Sequence, residues 1–304
     1  MLLPSAFAAE ETVRFANNSL VGTLVTASPS RHAVILCHGL LWHRQRSTLS
    51  GLAEAVALET GVAVLRFDFL GNGDSDGLFD YGYAGETDQI ETAAKFLRDR
   101  GYTVSGVIGH SKAAAEVLMY RAKYAPSGPF LVVPVCGRFH IPECPVDRFR
   151  PEQWMSVGLD PALGELGPRG PADPGWFEWG ARPGRETVIT AGMFHERAAI
   201  DMEAALDGAM QPDTDIVFIH TTDDEAVPVK DLAVFADAAR CIAALRPSGS
   251  VHVHEVDIPG AMHGFTTMES KAMLNGLVVD AVKRLLSECS VEFLLNAGRE
   301  MATS

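Results

Sequence analysis

The chain has 304 residues, 47% of them hydrophobic and 21% charged, which is typical of a globular protein with a sizeable core. Its formal net charge of −14, with no cluster of lysines or arginines, argues against nucleic acid and anionic membrane surfaces as partners. The apolar runs are no longer than a strand, so we expect no transmembrane segment and no stable membrane insertion.

The five cysteines are scattered and lack the paired spacing of a zinc site. We therefore predict mostly buried, reduced thiols in a cytoplasmic protein, with no metal and no cofactor. Residues 1–9 are similar to the end of a signal peptide but lack a basic segment and a full apolar core, so we predict no signal peptide.

Apolar and alternating runs predict eight strands along the chain. They cover residues 11–15, 20–26, 32–37, 62–67, 103–108, 130–136, 216–219 and 251–256. Amphipathic stretches predict helices at residues 47–60, 85–100, 112 to about 124, within 227–245, and at 267–286. Strands that alternate with helices are typical of an α/β protein with a doubly wound, mostly parallel sheet, here with an antiparallel start.

The alternation breaks between the sixth and seventh predicted strands. Residues 138–211 are rich in proline and glycine, hold three of the four tryptophans, and end in a helical stretch at 193–210. A connection of this length predicts an inserted cap, or lid, over the C-terminal edge of the sheet; the alternative is a floppy surface insertion. The predicted organisation is a core of residues 10–137 and 212–288, a cap of 138–211, and a weakly helical tail of 289–304.

A serine stands where the fifth predicted strand meets the helix that follows it. Ser111 is flanked two residues away by Gly109 and Ala113, and small neighbours are needed where a sharp turn exposes a serine between strand and helix. The pattern predicts a nucleophile elbow. The alternative is an ordinary serine at a helix N-terminus.

A nucleophilic serine needs a base and an acid, and two later loops supply candidates. Three adjacent carboxylates, Asp223, Asp224 and Glu225, follow the seventh strand, and His263 follows the eighth. Both loops lie at C-terminal strand ends, where open α/β sheets build their sites. Histidines in strands or in other loops are expected to pack, to hold backbone or to be solvated; these are His38, His43, His110, His140, His195, His220, His252 and His254. For His43, His140, His195 and His220 the alternative is a place in the lining of the cleft.

Five motifs in this order resemble the α/β-hydrolase superfamily, close to serine esterases typified by cinnamoyl/feruloyl esterases and monoacylglycerol-lipase-like enzymes. The matching segments span about residues 20–286, with only the cap unmatched. The G-H-S-K form of the serine motif, with Gly-Arg-Phe after the next strand, resembles a plant-type subgroup. The motifs are Cys-His-Gly-Leu at 37–40, Arg-Phe-Asp-Phe-Leu-Gly-Asn-Gly-Asp-Ser at 66–75, Gly-His-Ser-Lys at 109–112, Asp-Glu-Ala-Val-Pro at 224–228 and Gly-Ala-Met-His-Gly-Phe at 260–265.

The resemblance implies a catalytic triad of Ser111, Asp224 and His263, since the family pattern places a carboxylate three residues before Val-Pro. It also implies an oxyanion hole formed by the backbone N–H groups of Leu40 and Lys112. Asp68 is a rival acid, but its motif indicates a structural role. The Lys112 side chain is expected to be solvated; the alternative is contact with an acidic cap residue or an anionic substrate group.

The implied function is that of a serine carboxylesterase working through an acyl-enzyme intermediate on a small-molecule acyl ester with an apolar or aromatic acyl part. Alternatives on the same triad are a thioesterase, an amidase or a C–C hydrolase, and a non-catalytic ligand-binding homologue remains open. We expect a monomer or a homodimer. The candidates for the substrate pocket are Leu41, Trp154, Trp176 and Met262.

Overall fold

The computed structural model describes residues 7–141, 176–182, 185–246 and 251–302, with the backbone alone at 176–182, 185–188 and 288–302. The described strands are β1 Ala9–Phe15, β2 Leu20–Thr26, β3 His32–Cys37, β4 Ala63–Asp68, β5 Thr103–His110, β6 Phe130–Val135, β7 Trp176–Arg182, β8 Arg185–Thr190, β9 Thr214–Thr221 and β10 Val251–Ile258. The described helices are α1 Ser47–Thr60, α2 Ala84–Asp99, α3 Lys112–Tyr124, α4 Ala191–Ala198, α5 Met202–Ala209, α6 Lys230–Ala244 and α7 Met268–Ala302.

Eight strands form one sheet in the order β1-β2-β4-β3-β5-β6-β9-β10. The β1–β2 and β2–β4 pairs are antiparallel, and every later pair, from β4–β3 to β9–β10, is parallel. The predicted α/β class, with a doubly wound, mostly parallel sheet and an antiparallel start, is therefore confirmed. Strands β7 and β8 form a separate antiparallel hairpin within the predicted insertion.

Helices cover both faces of the sheet and divide the core into two layers. The larger layer packs α2, α3, α5 and α6 against one face, with residues such as Ile90, Val117 and Phe235 fully or almost fully buried. The second packs α1 and α7 against the other face, through residues such as Leu52 and Val278. Because both faces are covered, the central strands are mostly apolar and buried, which explains why they appear in the sequence as hydrophobic runs.

The sequence predictions for the insertion and the C-terminus differ from the structure in two places. The helix expected at 193–210 is two helices, α4 and α5, because the Asp201 side chain accepts the amide of Ala204 at 3.0 Å and caps a new helix start. The closing helix expected to end at 286 continues to Ala302 as α7. The pieces of the predicted cap at 142–175 and 183–184 lie outside the described residues.

A buried carboxylate fixes the loops beside the sheet's antiparallel part. Asp68, at the end of β4, is fully buried and accepts the backbone amides of Arg44 at 2.6 Å and Asp74 at 2.9 Å. The Arg44 guanidinium, itself only 4% exposed, pairs with Asp68 and reaches Asp74 at 2.7 Å. These contacts support the structural role that the sequence indicated for Asp68.

Two further sequence expectations bear on the described residues. None of the helices there combines the length and the hydropathy needed to cross a membrane. Cys37 and Cys136 are buried free thiols, whereas Cys241 is exposed.

Replacing Asp68 with alanine is expected to destabilise the fold by about 3–5 kcal/mol, because the nearly buried Arg44 guanidinium would lose its buried carboxylate partner and keep only the exposed Asp74. The measurement is the free energy of unfolding in urea. The control is Asp99→Ala, which removes a pair with Lys95 whose side chains are more than 60% exposed, and should change stability by less than about 1 kcal/mol. Equal losses in the two variants would contradict the structural role of Asp68.

Candidate active site

Ser111 lies in a sharp turn between β5 and α3, with a positive φ of 59°. Residues other than glycine rarely adopt this backbone conformation, so the surrounding packing must stabilise it. A Cβ at Gly109 would lie 2.2 Å from the carbonyl oxygen of Ala113, so only glycine fits there. Ala113 is fully buried within the core. The strand–turn–helix geometry predicted for an elbow is thus present.

Three side chains from three strand ends meet in one hydrogen-bonded series. The Ser111 hydroxyl lies 2.8 Å from His263 Nε2, and His263 Nδ1 lies 2.8 Å from an Asp224 carboxylate oxygen. Ser111 follows β5, Asp224 follows β9 and His263 follows β10. The parallel sheet brings these three C-terminal strand ends to one edge, although the residues are up to 152 positions apart in the chain.

Asp224 is held as an anion beneath His263. Its side chain has no solvent exposure. One carboxylate oxygen accepts the amides of Ala226 at 2.9 Å and Val227 at 2.7 Å, and the other accepts the Thr221 hydroxyl at 3.1 Å. Burial alone would raise the pKa of Asp224, but its hydrogen bonds and ion pairing with His263, together with the two amides, lower it to about 2. The carboxylate is therefore ionised at neutral pH.

The backbone around His263 is fixed from both sides. Its amide donates to the Glu225 carboxylate at 3.0 Å, and its carbonyl oxygen lies 2.9 Å from Nε2 of His110. Because a carbonyl only accepts, Nε2 of His110 must carry the proton. Burial, and then the neighbouring His263, lower the pKa of His110 to about 3, so it stays neutral.

The remaining carboxylates and histidines have other contacts. Asp223 contacts the Thr222 hydroxyl at 3.1 Å rather than His263. His38 donates to the carbonyl of Gly39 and accepts the Phe69 amide at 3.1 Å, so it and His110 hold backbone as the sequence indicated. His220 is buried, and its Nε2 lies 3.1 Å from the carbonyl oxygen of Val227 and 3.4 Å from an Asp224 carboxylate oxygen, so it packs beside the proposed acid. His252 and His254 lie on strand β10.

Two backbone amides at the mouth of the site have no acceptor among the described residues. Within the described part of the chain, neither the Leu40 N–H nor the Lys112 N–H donates a hydrogen bond. Lys112 is the first residue of α3, where the helix dipole favours negative charge. Gly39 brings the Leu40 loop against the elbow, since a Cβ on Gly39 would lie 2.9 Å from Cβ of Ser111. Both amides are thus placed beside the serine.

A cavity of about 290 Å³ opens onto Ser111 and His263. Leu41, a pocket candidate from the sequence, lines it. Met262 is 45% exposed and is not among the described lining residues. Trp154 lies outside the described residues, and Trp176 begins strand β7, where only the backbone is described.

The expectation of a solvated Lys112 side chain was wrong. Its ammonium is buried, lies 2.7 Å from Glu86 and 3.0 Å from Glu116, and sits 5.0 Å above the Tyr83 ring. Neither glutamate belongs to the predicted cap, since Glu86 is on α2 and Glu116 on α3. We call these three side chains the Lys112 cluster.

The Lys112 cluster lies directly behind the elbow and contains two acids for one base. Burial raises the pKa of Glu116 well above its usual range, and the nearby Glu86 raises it further. Burial also raises the pKa of Glu86, although Lys112 opposes that shift. Burial alone would lower the pKa of Lys112, but Glu116 and Glu86 raise it instead. Protonation of one of the two glutamates would leave the cluster with no net charge.

Only some of the contacts made by Lys112 and Asp224 could be predicted from the sequence. Glu116 stands four residues after Lys112 on one helix, a spacing that brings charged side chains together, so this contact was open to prediction. Glu86 lies 26 residues earlier on another helix, and no local pattern links it to Lys112. Thr221 was also missed, because β9 extends beyond the predicted end at 219 and carries this hydroxyl to Asp224.

Two groups of possible metal-binding atoms, each spanning less than 4.8 Å, overlap the site. They are His110, Cys136 and His263, and Cys136, His220 and Asp224. Both need Cys136, whose thiol pKa is raised by burial and by Asp224, which disfavours the thiolate that a metal binds. The polar atoms of Asp224 and His263 are already engaged with each other. We therefore interpret both groups as part of the hydrogen-bond network.

Replacing Lys112 with methionine is expected to lower the free energy of unfolding at pH 7 by about 3–5 kcal/mol, because two buried carboxyls lose their cation. The loss relative to wild type should shrink between pH 7 and pH 5. Both glutamates have raised pKa values, so at lower pH they become protonated in the folded state and no longer need an ammonium. Urea unfolding at several pH values measures this.

The matched control for that prediction is Lys123→Met on the same helix, whose pair with Asp88 is half exposed on both sides. It should cost less than about 1 kcal/mol, with no pH trend over this range. A Lys112→Met deficit that stays constant or grows toward pH 5 would count against the charge assignment of the Lys112 cluster.

Comparisons with known proteins bear on the family and the fold of this chain. Residues 34–275 match the family described as "Alpha/beta hydrolase family". No curated protein sequence matches the chain. Among solved structures, Est1E from Butyrivibrio proteoclasticus superposes with a TM-score of 0.64 at 18% identity, covering 91% of this chain and 99% of Est1E. The esterase domain of a Rhodothermus marinus protein gives 0.58 at 17% identity, covering 91% and 98%.

A third solved structure, the Pyrococcus furiosus esterase Pf2001, gives a TM-score of 0.59 at 17% identity, covering 93% of this chain and 94% of that one. At these identities the likeness to solved structures concerns the fold. The family match covers most of the chain and agrees with the sheet order and the strand–turn–helix at Ser111. The chain belongs to the α/β hydrolase family.

Proposed function

We propose that this protein is a serine carboxylesterase whose catalytic residues are Ser111, His263 and Asp224. The observation that carries the proposal is the pair of 2.8 Å contacts joining the serine hydroxyl to His263 Nε2 and His263 Nδ1 to the Asp224 carboxylate. In this series His263 Nε2 can accept the Ser111 hydroxyl proton, and the Asp224 carboxylate can stabilise the positive charge that His263 then carries. The family match and the esterases among the structural relatives support the same reading.

In the first step, the Ser111 oxygen attacks the acyl carbon of the ester while its proton passes to Nε2 of His263. Asp224 is ionised, accepts the Nδ1 hydrogen of His263, and stabilises the imidazolium that forms. The carbonyl oxygen becomes negatively charged. The amides of Leu40 and Lys112, which have no other acceptor among the described residues, donate to it.

The second step releases the alcohol, and the third releases the acid. The tetrahedral intermediate collapses as the ester C–O bond breaks, and the leaving oxygen takes the proton from His263. A water molecule then attacks the acyl-serine with His263 again accepting a proton. Collapse of the second intermediate returns that proton to the Ser111 oxygen. The balance is ester plus water giving acid plus alcohol.

The cavity supports a small substrate with an apolar or aromatic acyl part. Its volume of about 290 Å³ lies at the low end for small-molecule sites, and much of its wall is apolar. One structural relative, Est1E, has been solved with ferulic acid bound. Apolar side chains from both sides of the cavity contribute: Leu40, Leu41, Trp42, Ile141 and Val227.

We also propose that the predicted insertion at 138–211 acts as a cap on this cavity. Arg138, Ile141 and Arg197 fall within that range and line the cavity. Glu196, on α4, accepts the amides of Tyr83 at 2.6 Å and Ala84 at 2.7 Å, which fastens the end of the insertion to the start of α2.

Replacing Ser111 with alanine is expected to lower turnover of p-nitrophenyl butyrate by about 10⁶-fold, the size of effect seen when a triad loses its nucleophile. The matched control is Ser105→Ala on strand β5, which leads to the turn with Ser111; its hydroxyl contacts His32 away from the cavity. Its turnover should stay within about twofold of wild type. Near-equal turnover by the two variants would refute the assignment of Ser111.

A panel of substrates separates the esterase from its alternatives. Wild-type protein that hydrolyses thioesters, amides or β-diketones but no oxygen ester would be a thioesterase, an amidase or a C–C hydrolase on the same triad. Folded protein that binds esters without turning over any of these substrates would be a ligand-binding homologue.

The choice of acid among three adjacent carboxylates gives a further prediction. Asp224→Asn is expected to reduce turnover by about 10⁴-fold, because an amide neither holds the right His263 tautomer nor stabilises its cation. Asp223→Asn changes the same chemical group one residue earlier and should alter turnover by only a few fold. Kinetics on one neutral ester measure both. A larger loss of turnover in Asp223→Asn than in Asp224→Asn would assign the role of the catalytic acid to Asp223.

A further inference from the structure

The cavity has the opposite charge character to the whole protein. The chain carries 39 acidic and 25 basic residues, yet the described cavity-lining residues include Lys112, Arg138 and Arg197 and no aspartate or glutamate. A cleft lined with one sign of charge concentrates ligands of the other sign, even on a protein whose net charge would repel them. The cavity is thus suited to an anionic group.

Two of the three cations are engaged within the protein. Lys112 pairs with Glu86 and Glu116 in the Lys112 cluster. Arg197 donates to the Tyr83 hydroxyl at 2.8 Å, and its guanidinium lies 4.5 Å from the centre of the Tyr81 ring. Both side chains are almost fully buried. Neither is the natural partner of an incoming substrate.

Arg138 differs from both. It follows β6 at the start of the insertion and is half-buried at the cavity wall. One of its guanidinium nitrogens donates to the carbonyl of Ala226 at 2.8 Å, and no described carboxylate lies within ion-pairing distance. A guanidinium has five N–H donors in a planar fork, so most of its hydrogen-bonding capacity is left for a ligand.

The anchor of Arg138 places that fork beside the catalytic groups. Ala226, whose carbonyl it binds, donates its amide to Asp224, and Val227 next to it lines the cavity together with Ser111. A planar guanidinium matches a carboxylate with two parallel hydrogen bonds, and partial burial protects such a pair from screening by salt.

We propose that the substrate ester carries a carboxylate, and that Arg138 binds this group while Ser111 attacks the ester. This specificity rests on the proposed esterase function. One role considered for Lys112 from the sequence was contact with an anionic substrate group. The proposal assigns that contact instead to Arg138, 26 positions later in the chain.

The experiment compares matched pairs of esters that differ only in one carboxylate. Phenyl hydrogen glutarate and phenyl methyl glutarate place the charge in the acyl part, and 4-butyryloxybenzoate and its methyl ester place it in the alcohol part. Each kcat/KM is divided by the hydroxide-catalysed rate of the same ester to remove differences in leaving-group reactivity. The readout is the anionic-to-neutral ratio within each pair.

Wild-type protein is expected to favour the anionic member of at least one pair. Arg138→Gln should lower that ratio about 10- to 100-fold, the range expected for losing hydrogen bonds to a charged group. Arg138→Lys keeps the charge but lacks the planar fork, so its ratio should fall between those of wild type and Arg138→Gln. It replaces the glutamine variant in the test if that variant does not fold. The control Arg240→Gln removes the same charge from the exposed surface of α6 and should keep the wild-type ratio.

The inference is overturned if wild-type protein favours the neutral member of both pairs, or if Arg138→Gln keeps the wild-type ratio. In either case hydrolysis of the neutral esters would leave the esterase proposal standing. Wild-type protein that hydrolyses none of the four esters would instead contradict the proposed function itself.

Discussion

The site depends on one strained turn. Ser111 has a positive φ, and the close contacts of Gly39 and Gly109 with the elbow leave the backbone no room to relax. The same turn aims the hydroxyl at His263 and starts helix α3, whose first amide belongs to Lys112. One backbone conformation therefore places both the proposed nucleophile and a proposed oxyanion donor. The sheet only has to bring Asp224 and His263 to the same edge.

The titratable groups around this turn differ in their charge and in their contacts. Asp224 is kept ionised by amides and by His263, whereas His110, one residue before the serine, is kept neutral by burial. The Lys112 cluster neutralises an ammonium that would otherwise oppose the dipole of α3 at its start. What remains for a ligand, among the described cavity-lining residues, is the guanidinium of Arg138.

Much of this could be predicted from the sequence where local patterns carry the information. Continuous apolar strands and alternating helices gave the fold class, and chain order at the strand ends indicated Ser111, His263 and one of three adjacent carboxylates. The family resemblance then singled out Asp224, and the structure brings these three residues together. Contacts between distant helices leave no such trace, which is why the buried environment of Lys112 was missed. Asp201 shows a third case, since a capping side chain ended a helix that periodicity alone had continued.

The most direct test of the central claim is the identity of the residue that becomes covalently modified. Incubation with an alkyl fluorophosphonate, followed by intact-mass measurement and peptide mapping, reads this out. The proposed mechanism predicts one adduct per chain, on Ser111, and none in the Asp224→Asn or Ser111→Ala variants over the same time. Folded wild-type protein that forms no adduct, or that carries it on another residue, would contradict the account.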